Sequence, residues 1–257
     1  MNGQVPLAQD ETLDAILDGR IRIIQKKNGY RFAVDTLLLA RFAEPRPGEA
    51  LIDLGTGSGV LAIGLAYRHP SVRVLGVDIR EEFAAMAGRS VVLNGLEGRV
   101  EIRRGDVRVP EALCAPLSFD AAVFNPPYRR LCSGRVNPDP VKAAARHEID
   151  GTLGDFVAAA AYALKEGGRA WAVYPAKRLA ELLFRMRSGR LEPKRLRVVH
   201  SRPGGAGVLV LVEGVKGGGE ELALLPPLYI YGDAGAYSGQ METIFRELAA
   251  SPSAGGG

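Results

Sequence analysis

The chain has 257 residues, 47% of them hydrophobic, and a formal net charge of +4, which is enough material for one α/β core and a soft expectation of one to two domains. No run of eighteen apolar residues occurs, the first twenty residues are polar and acidic, and Cys114 and Cys132 stand alone; a spanning helix, a cleaved leader and a disulfide framework are therefore not expected. With His69, His147 and His200 dispersed, the reading is a soluble, cytoplasmic protein with no metal site and no membrane partner.

In chain order, periodicity predicts a helix over residues 11–17 and another over 35–43, where Asp35-Thr36 reads either as an N-cap before Leu37-Leu38-Leu39 or, with Phe32, as a lid. Strands are expected at 50–54, 72–77, 100–104, 119–124, 169–174, 194–200 and 207–213, and helices at 59–68, 81–93, 153–164 and 176–187. Such alternation gives a parallel sheet with helices on both faces. Gly217-Gly218-Gly219 reads as a link or hairpin tip, and residues 251–257 as a disordered tail.

The first strand runs through Asp53 into Gly55-Thr56-Gly57-Ser58-Gly59 and then into a helix. Glycines let backbone pass close to a ligand, and a helix N-terminus offers unpaired N–H groups. Asp53 lies inside an apolar run, where a carboxylate is costly without a partner; an amine on the ligand is one candidate. Asp78 ends the second strand and suits two ribose hydroxyls, and Asp106, after Gly105, suits an adenine amino group. Both carboxylates also read as ordinary strand-end turn residues. A dinucleotide fingerprint needs glycine or alanine where this chain has Val60, which disfavours NAD.

Asn125-Pro126-Pro127-Tyr128 follows the apolar run 121–124. The Asn125 side-chain carbonyl and the Pro126 backbone carbonyl can accept both N–H bonds of a planar amine and localise its lone pair. Two prolines stiffen the loop, and Tyr128 offers a flat face for a base or an amide. The expectation is amino-group methylation; the bland reading is a rigid turn. Arg129, Arg130, Arg135 and Arg146 stand close enough in sequence to grip flanking nucleotides, and residues 177–202 carry a local basic excess that suits a polyanion or a solvated face.

The order of glycine loop, carboxylate, Gly-Asp and NPPY over roughly residues 20–231 resembles class I S-adenosylmethionine-dependent methyltransferases. The run from Ile24 to Leu39, the segment Ala145 to Ile149 and Pro226-Pro227-Leu228-Tyr229-Ile230-Tyr231 look like the YfiC-type tRNA (adenine-N6)-methyltransferases, which act on the adenine beside the anticodon of a valine tRNA. The resemblance implies a Rossmann-like, seven-stranded, mostly parallel sheet whose last strand is antiparallel and inserted beside the fifth. It implies S-adenosylmethionine as donor, held by Asp53, Gly55, Gly57, Gly59, Asp78, Ile79, Asp106, Val107 and Asn125, with Asn125, Pro126 and Tyr128 catalytic and a tRNA as substrate. It divides the chain into an N-terminal segment packing on the donor site (1–44), a catalytic domain (45–231) and a C-terminal helix with its tail (232–257). Guanine-N2 methylation of rRNA, glutamine-N5 methylation of a protein, and a non-catalytic RNA-binding assembly role are the alternatives.

Overall fold

Leu51 and Ile52 are adjacent and both fully buried, yet they belong to separate layers of core, because successive side chains of a strand point to opposite faces of its sheet. The computed structural model describes residues 5–28, 34–128, 151–232 and 235–250. It opens with a hairpin of β1 (Glu11–Ile16) and β2 (Ile21–Lys26), followed by α1 (Val34–Phe42). Then come β3 (Ala50–Leu54), α2 (Val60–Arg68), β4 (Arg73–Asp78), α3 (Glu81–Leu93), β5 (Val100–Arg104) and β6 (Phe119–Phe124). The second half holds α4 (Leu153–Ala163), β7 (Leu164–Pro175), α5 (Leu179–Ser188), β8 (Leu191–His200), β9 (Gly207–Lys216), β10 (Ala223–Leu224), β11 (Leu228–Tyr229) and α6 (Gly239–Ala249).

The sheet order is β10-β8-β9-β7-β6-β3-β4-β5, with β11 also on β8. Only β9 runs against its neighbours β7 and β8. All seven expected strands are present, and β10 and β11 extend the β8 edge in parallel. On one face Leu38, Ile63 and Ile244 of α1, α2 and α6 pack over Leu51, Val74, Val123, Trp171 and Leu211. On the other, Phe156, Ala160 and Met186 of α4 and α5 pack over Ile52, Val77, Phe124 and Val210. Each such side chain contributes about 1.5–3 kcal/mol by leaving water. The parallel strands β3, β4, β5, β6 and β7 thereby end along one edge.

The helix expected over residues 11–17 is a strand instead. Glu11 to Ile16 pair antiparallel with Lys26 to Ile21 around a turn in which Leu17, Asp18 and Gly19 all take positive φ. The overlooked signal is Asp18-Gly19, a dipeptide that favours hairpin turns and fixes the register that buries Ile21, Ile23 and Ile24. The hairpin is fastened to α3: the Ile24 N–H donates to Ser90 Oγ at 2.9 Å, and Arg89 grips Glu11 through two bonds of 2.6 and 2.8 Å. That guanidinium holds the Glu11 carboxyl down at about 2. The helix expected from residue 176 starts at Leu179, after a single 3₁₀ turn over Ala176–Arg178.

Candidate active site at the carboxyl ends of the strands

A cavity of about 350 Å³ opens where β3, β4, β5 and β6 end, within the size range of small-ligand pockets. Its floor is the turn after β3. Gly55 has a φ of 73°, and a Cβ there would stand 2.9 Å from the Phe156 ring, so only glycine lets the strand turn beneath α4. Gly57, with a φ of 57°, donates its N–H to Asp78 Oδ2 at 2.9 Å. Asp78 Oδ1 accepts from the Arg80 N–H at the same distance. Two backbone donors therefore fix a buried carboxylate at the cavity wall, beside Ile79.

Asp106 and Val107 line the next stretch of wall. Asp106 is gripped by its own neighbour: the Arg108 guanidinium lies 2.6 Å from Oδ2, and the Arg108 N–H 2.9 Å from Oδ1. This holds the Asp106 carboxyl below the ordinary range, so an amino group meeting it shares it with Arg108.

Asp53 and Gly59 are not among the cavity-lining residues. Gly59 is the N-cap of α2 and has no side chain to satisfy the first turn. The Asp53 carboxylate lies behind it on β3, accepting from the Thr56 hydroxyl at 2.6 Å, with the Ala62 backbone near enough to lower its pKa. Burial foremost, with the charge of Asp78 adding to it, pushes Asp53 up to about 7 against the pull of those bonds. Thr56 of the glycine loop is thus one partner of the carboxylate that the sequence left costly without one.

At the mouth stand Asn125, Pro126, Pro127 and Tyr128, facing Asp35 from the first turn of α1. The Tyr128 hydroxyl lies 3.0 Å from Asp35 Oδ2 and in hydrogen-bond contact with Asn125 Oδ1. Asn125 Nδ2 donates to Thr36 Oγ1 at 3.3 Å, and the Thr36 N–H donates to Asp35 Oδ1 at 2.7 Å. Two acceptors thus surround a hydroxyl that carries one proton. Asp35 was read from sequence as a cap or as part of a lid, not as a residue named for the site; it lines the cavity, and an acid inside the buried first turn of an apolar helix was the available signal.

The tetrapeptide is braced from β7. Tyr174 meets the Tyr128 ring edge-on, with centroids 5.7 Å apart, and Arg178 lies 4.8 Å over Tyr174. Arg178 donates to the Tyr128 carbonyl at 2.9 Å while its other nitrogens clasp Glu181 at 2.8 and 2.9 Å. Arg129, Arg130, Arg135 and Arg146, read from sequence as nucleotide contacts, lie outside the described residues, as do Phe32 of the suggested lid, Cys132, His147 and the tail 251–257.

Residues 33–189 match the family model described as the methyltransferase small domain. The chain belongs to this family of methyltransferases. Among its relatives, the tRNA1(Val) (adenine(37)-N6)-methyltransferase of Porphyromonas gingivalis is 31% identical over 190 residues, 72% of this methyltransferase and 74% of that protein. The ribosomal protein uL3 glutamine methyltransferase of Bradyrhizobium diazoefficiens is 37% identical over 110 residues, 42% of this chain and 33% of its own. The crystal structure of a predicted O-methyltransferase from Agrobacterium tumefaciens superposes with a TM-score of 0.69 at 23% identity, covering 86% of this chain and all of that one. That likeness gives a Rossmann-like fold, which with the family match is that of a class I methyltransferase. Among the described residues, no helix is long and apolar enough to cross a membrane, and no group of three or more His, Cys, Asp or Glu is placed to hold a metal ion.

Proposed function

We propose that this methyltransferase transfers a methyl group from S-adenosylmethionine to the exocyclic N6 of an adenine in tRNA, the adenine beside the anticodon, and does so in the cytoplasm. The observation that carries the reading is the mouth of the cavity, where Asp35 Oδ2 and Asn125 Oδ1 converge on one hydroxyl. An arriving amine brings two N–H bonds to a place where, among the described residues, two acceptors meet on one hydroxyl. Once Tyr128 yields one of them, Asn125 and the Pro126 carbonyl pin the nitrogen and direct its lone pair, which is catalysis by position and electrostatics.

The cavity fits the donor. Gly57 lets backbone approach, the fixed Asp78 carboxylate suits the ribose diol, and Asp106 with Ile79 and Val107 suits the adenine. Gly55 keeps the floor open, while Asp53 and Gly59 act one step back by holding the loop and the start of α2. When bound, S-adenosylmethionine supplies an electrophilic methyl group on a cationic sulfur. The chain's part is to exclude water with Phe156 and the prolines, to orient the amine with Asn125, and to hold the base against Tyr128. An anticodon-loop adenine must be unstacked to enter, and Tyr128 offsets the lost stacking by roughly 1–3 kcal/mol. α1 brings Asp35 to the mouth, which supports treating residues 1–44 as a segment serving the donor domain of residues 45–231.

A glutamine amide also presents a planar NH2, so the second reading is methylation of a protein. The glutamine methyltransferases align over 42% and 34% of this chain, against 72% for the tRNA relative, which favours RNA. Labelled donor incubated separately with total tRNA, rRNA and protein extract tests the choice. Label in tRNA that digests to N6-methyladenosine is the expected result; label in protein alone rejects it.

A further inference from the structure

The nine cations between Lys177 and Arg202 do not form one basic face. Arg178 is spent on Glu181, Arg187 on Glu192, Arg190 on Glu166, and Arg195 on Glu213 and Glu44. Lys194 donates to the carbonyls of Gly219 and Glu220. Arg197 is half-buried on β8, and Arg185 belongs to α5 rather than to the strand ends. Lys177 and Arg202 remain, both exposed and, among the described residues, without an ion pair. Lys177 follows the end of β7 and Arg202 the end of β8, so both stand on the edge of the sheet that carries the active-site cavity.

Aromatic faces continue the same edge. β11 runs parallel to β8 with Tyr229 opposite His200, and the two rings lie 5.5 Å apart. Just beyond, Tyr231 and Tyr237 stack with centroids 5.5 Å apart and planes 12° from parallel, and Tyr237 is 46% exposed. A side chain added at Gly235 would stand 3.4 Å from the Arg202 guanidinium, which places that cation beside the tyrosine turn. Along the edge the order is β6, β7, β9, β8, β11. At about 4.8 Å per strand, β8 lies roughly 15 Å and β11 roughly 19 Å from the tetrapeptide that ends β6. Two exposed cations without an ion pair among the described residues, followed along the edge by a group of rings of which Tyr237 stays exposed although it also meets Phe245 edge-on, match single-stranded nucleic acid, whose phosphates and bases take those two kinds of contact.

We propose that the strip from Lys177 through Arg202 to Tyr237 carries the single strand of RNA that flanks the target adenine. The inference rests on the RNA reading given above. Its test compares wild type with K177A/R202A, Y237A and Y237F, using filter binding of total tRNA across a salt series and steady-state methylation of the same RNA. Calorimetric titration of S-adenosylmethionine into each variant is the folding control, since none of the three side chains lines the donor cavity.

Losing two phosphate contacts should flatten the slope of log K against log salt by about 1.4 in K177A/R202A, at the single-strand value of about 0.7 per contact. The KM for tRNA should rise about tenfold while donor affinity holds. Y237A should bind tRNA roughly tenfold more weakly, and Y237F, which keeps the ring, should match wild type. An unchanged slope in K177A/R202A with intact donor binding overturns the strip and leaves the substrate reading standing. A wild-type enzyme that labels protein and ignores tRNA overturns the substrate reading, and the strip with it.

Discussion

Asp35 and Asn125 both meet the Tyr128 hydroxyl at the cavity mouth, and under the proposed clamp their substitutions should separate. Asn125→Ala removes the acceptor that directs the amine, so kcat should fall about 10²- to 10³-fold with donor affinity nearly intact. Asp35→Asn keeps shape but turns a pure acceptor into a group that also donates; the KM for RNA should rise more than kcat falls. Single-turnover kinetics at saturating donor would read both, and wild-type rates in Asn125→Ala would end the clamp account. Asp53 gives a prediction in pH. Its carboxyl is raised in the fold to about 7 from the ordinary 3.8, so its contribution to stability is fully present below about pH 4 and is lost as pH rises through about 7. The loss reaches at most about 4 kcal/mol for a shift of this size. Asp53→Asn keeps an acceptor for Thr56 and cannot ionise, so its urea midpoint should decline less than that of wild type between pH 5 and 8; parallel declines would contradict the assignment. Asn125, Asp78 and Asp106 were picked out from sequence by their types and spacing at strand ends, and all three line the cavity. The side to which Asp35 turns was not legible because an acid in a first turn reads equally as a cap, and only the packing of α1 on β7 and β9, with the Tyr128 hydroxyl on Asp35 Oδ2, shows which way it faces.

Elements decide whether those side chains hold still. The turn after β6 ends in a tyrosine whose carbonyl is tied to Arg178 and whose ring abuts Tyr174, so the 3₁₀ turn after β7 acts on the clamp from a neighbouring strand. Arg178→Ala should lower kcat about tenfold and leave donor binding unchanged, since Arg178 positions the tetrapeptide without lining the cavity. Arg178→Lys retains a donor for the Tyr128 carbonyl and a charge for Glu181 but loses the two-pronged geometry, so partial rescue is expected. A lysine variant no better than alanine would mean that the guanidinium's shape, not its charge, is what the loop needs; equal activity in all three would dismiss the brace. Most elements were readable because strand and helix periods differ across the catalytic core. The error at residues 11–17 arose where six residues are too few to separate the two periods, and where tertiary pairing with β2 and anchorage on α3 outweigh local preference.

The whole molecule places one sheet edge under a cavity whose lining comes from six separate stretches of the chain between Asp35 and Phe156. Sequence order conveyed the alternating strands, because a parallel sheet with crossovers leaves few other solutions, whereas the antiparallel β9 was implied only by the resemblance to class I methyltransferases. The pairing of β10 and β11 on β8 was not legible, since strands of two residues carry no period. Donor binding tests the assembly at this scale. A ligand that binds only the folded state at one hundred times its dissociation constant stabilises that state by about 2.7 kcal/mol. For a chain of this size that is a rise in Tm of roughly 5–10 °C. Asp78→Ala leaves the Gly57 and Arg80 N–H groups without their carboxylate, so the donor-free variant should melt lower by the equivalent of about 1–3 kcal/mol. It should also gain little from S-adenosylmethionine at the concentration that saturates wild type. Calorimetric scans with and without donor distinguish the two effects, because the first is present in buffer alone and the second is a difference between scans. An equal donor-induced rise in the variant and in wild type would remove Asp78 from the donor site while leaving its structural role to the glycine loop intact.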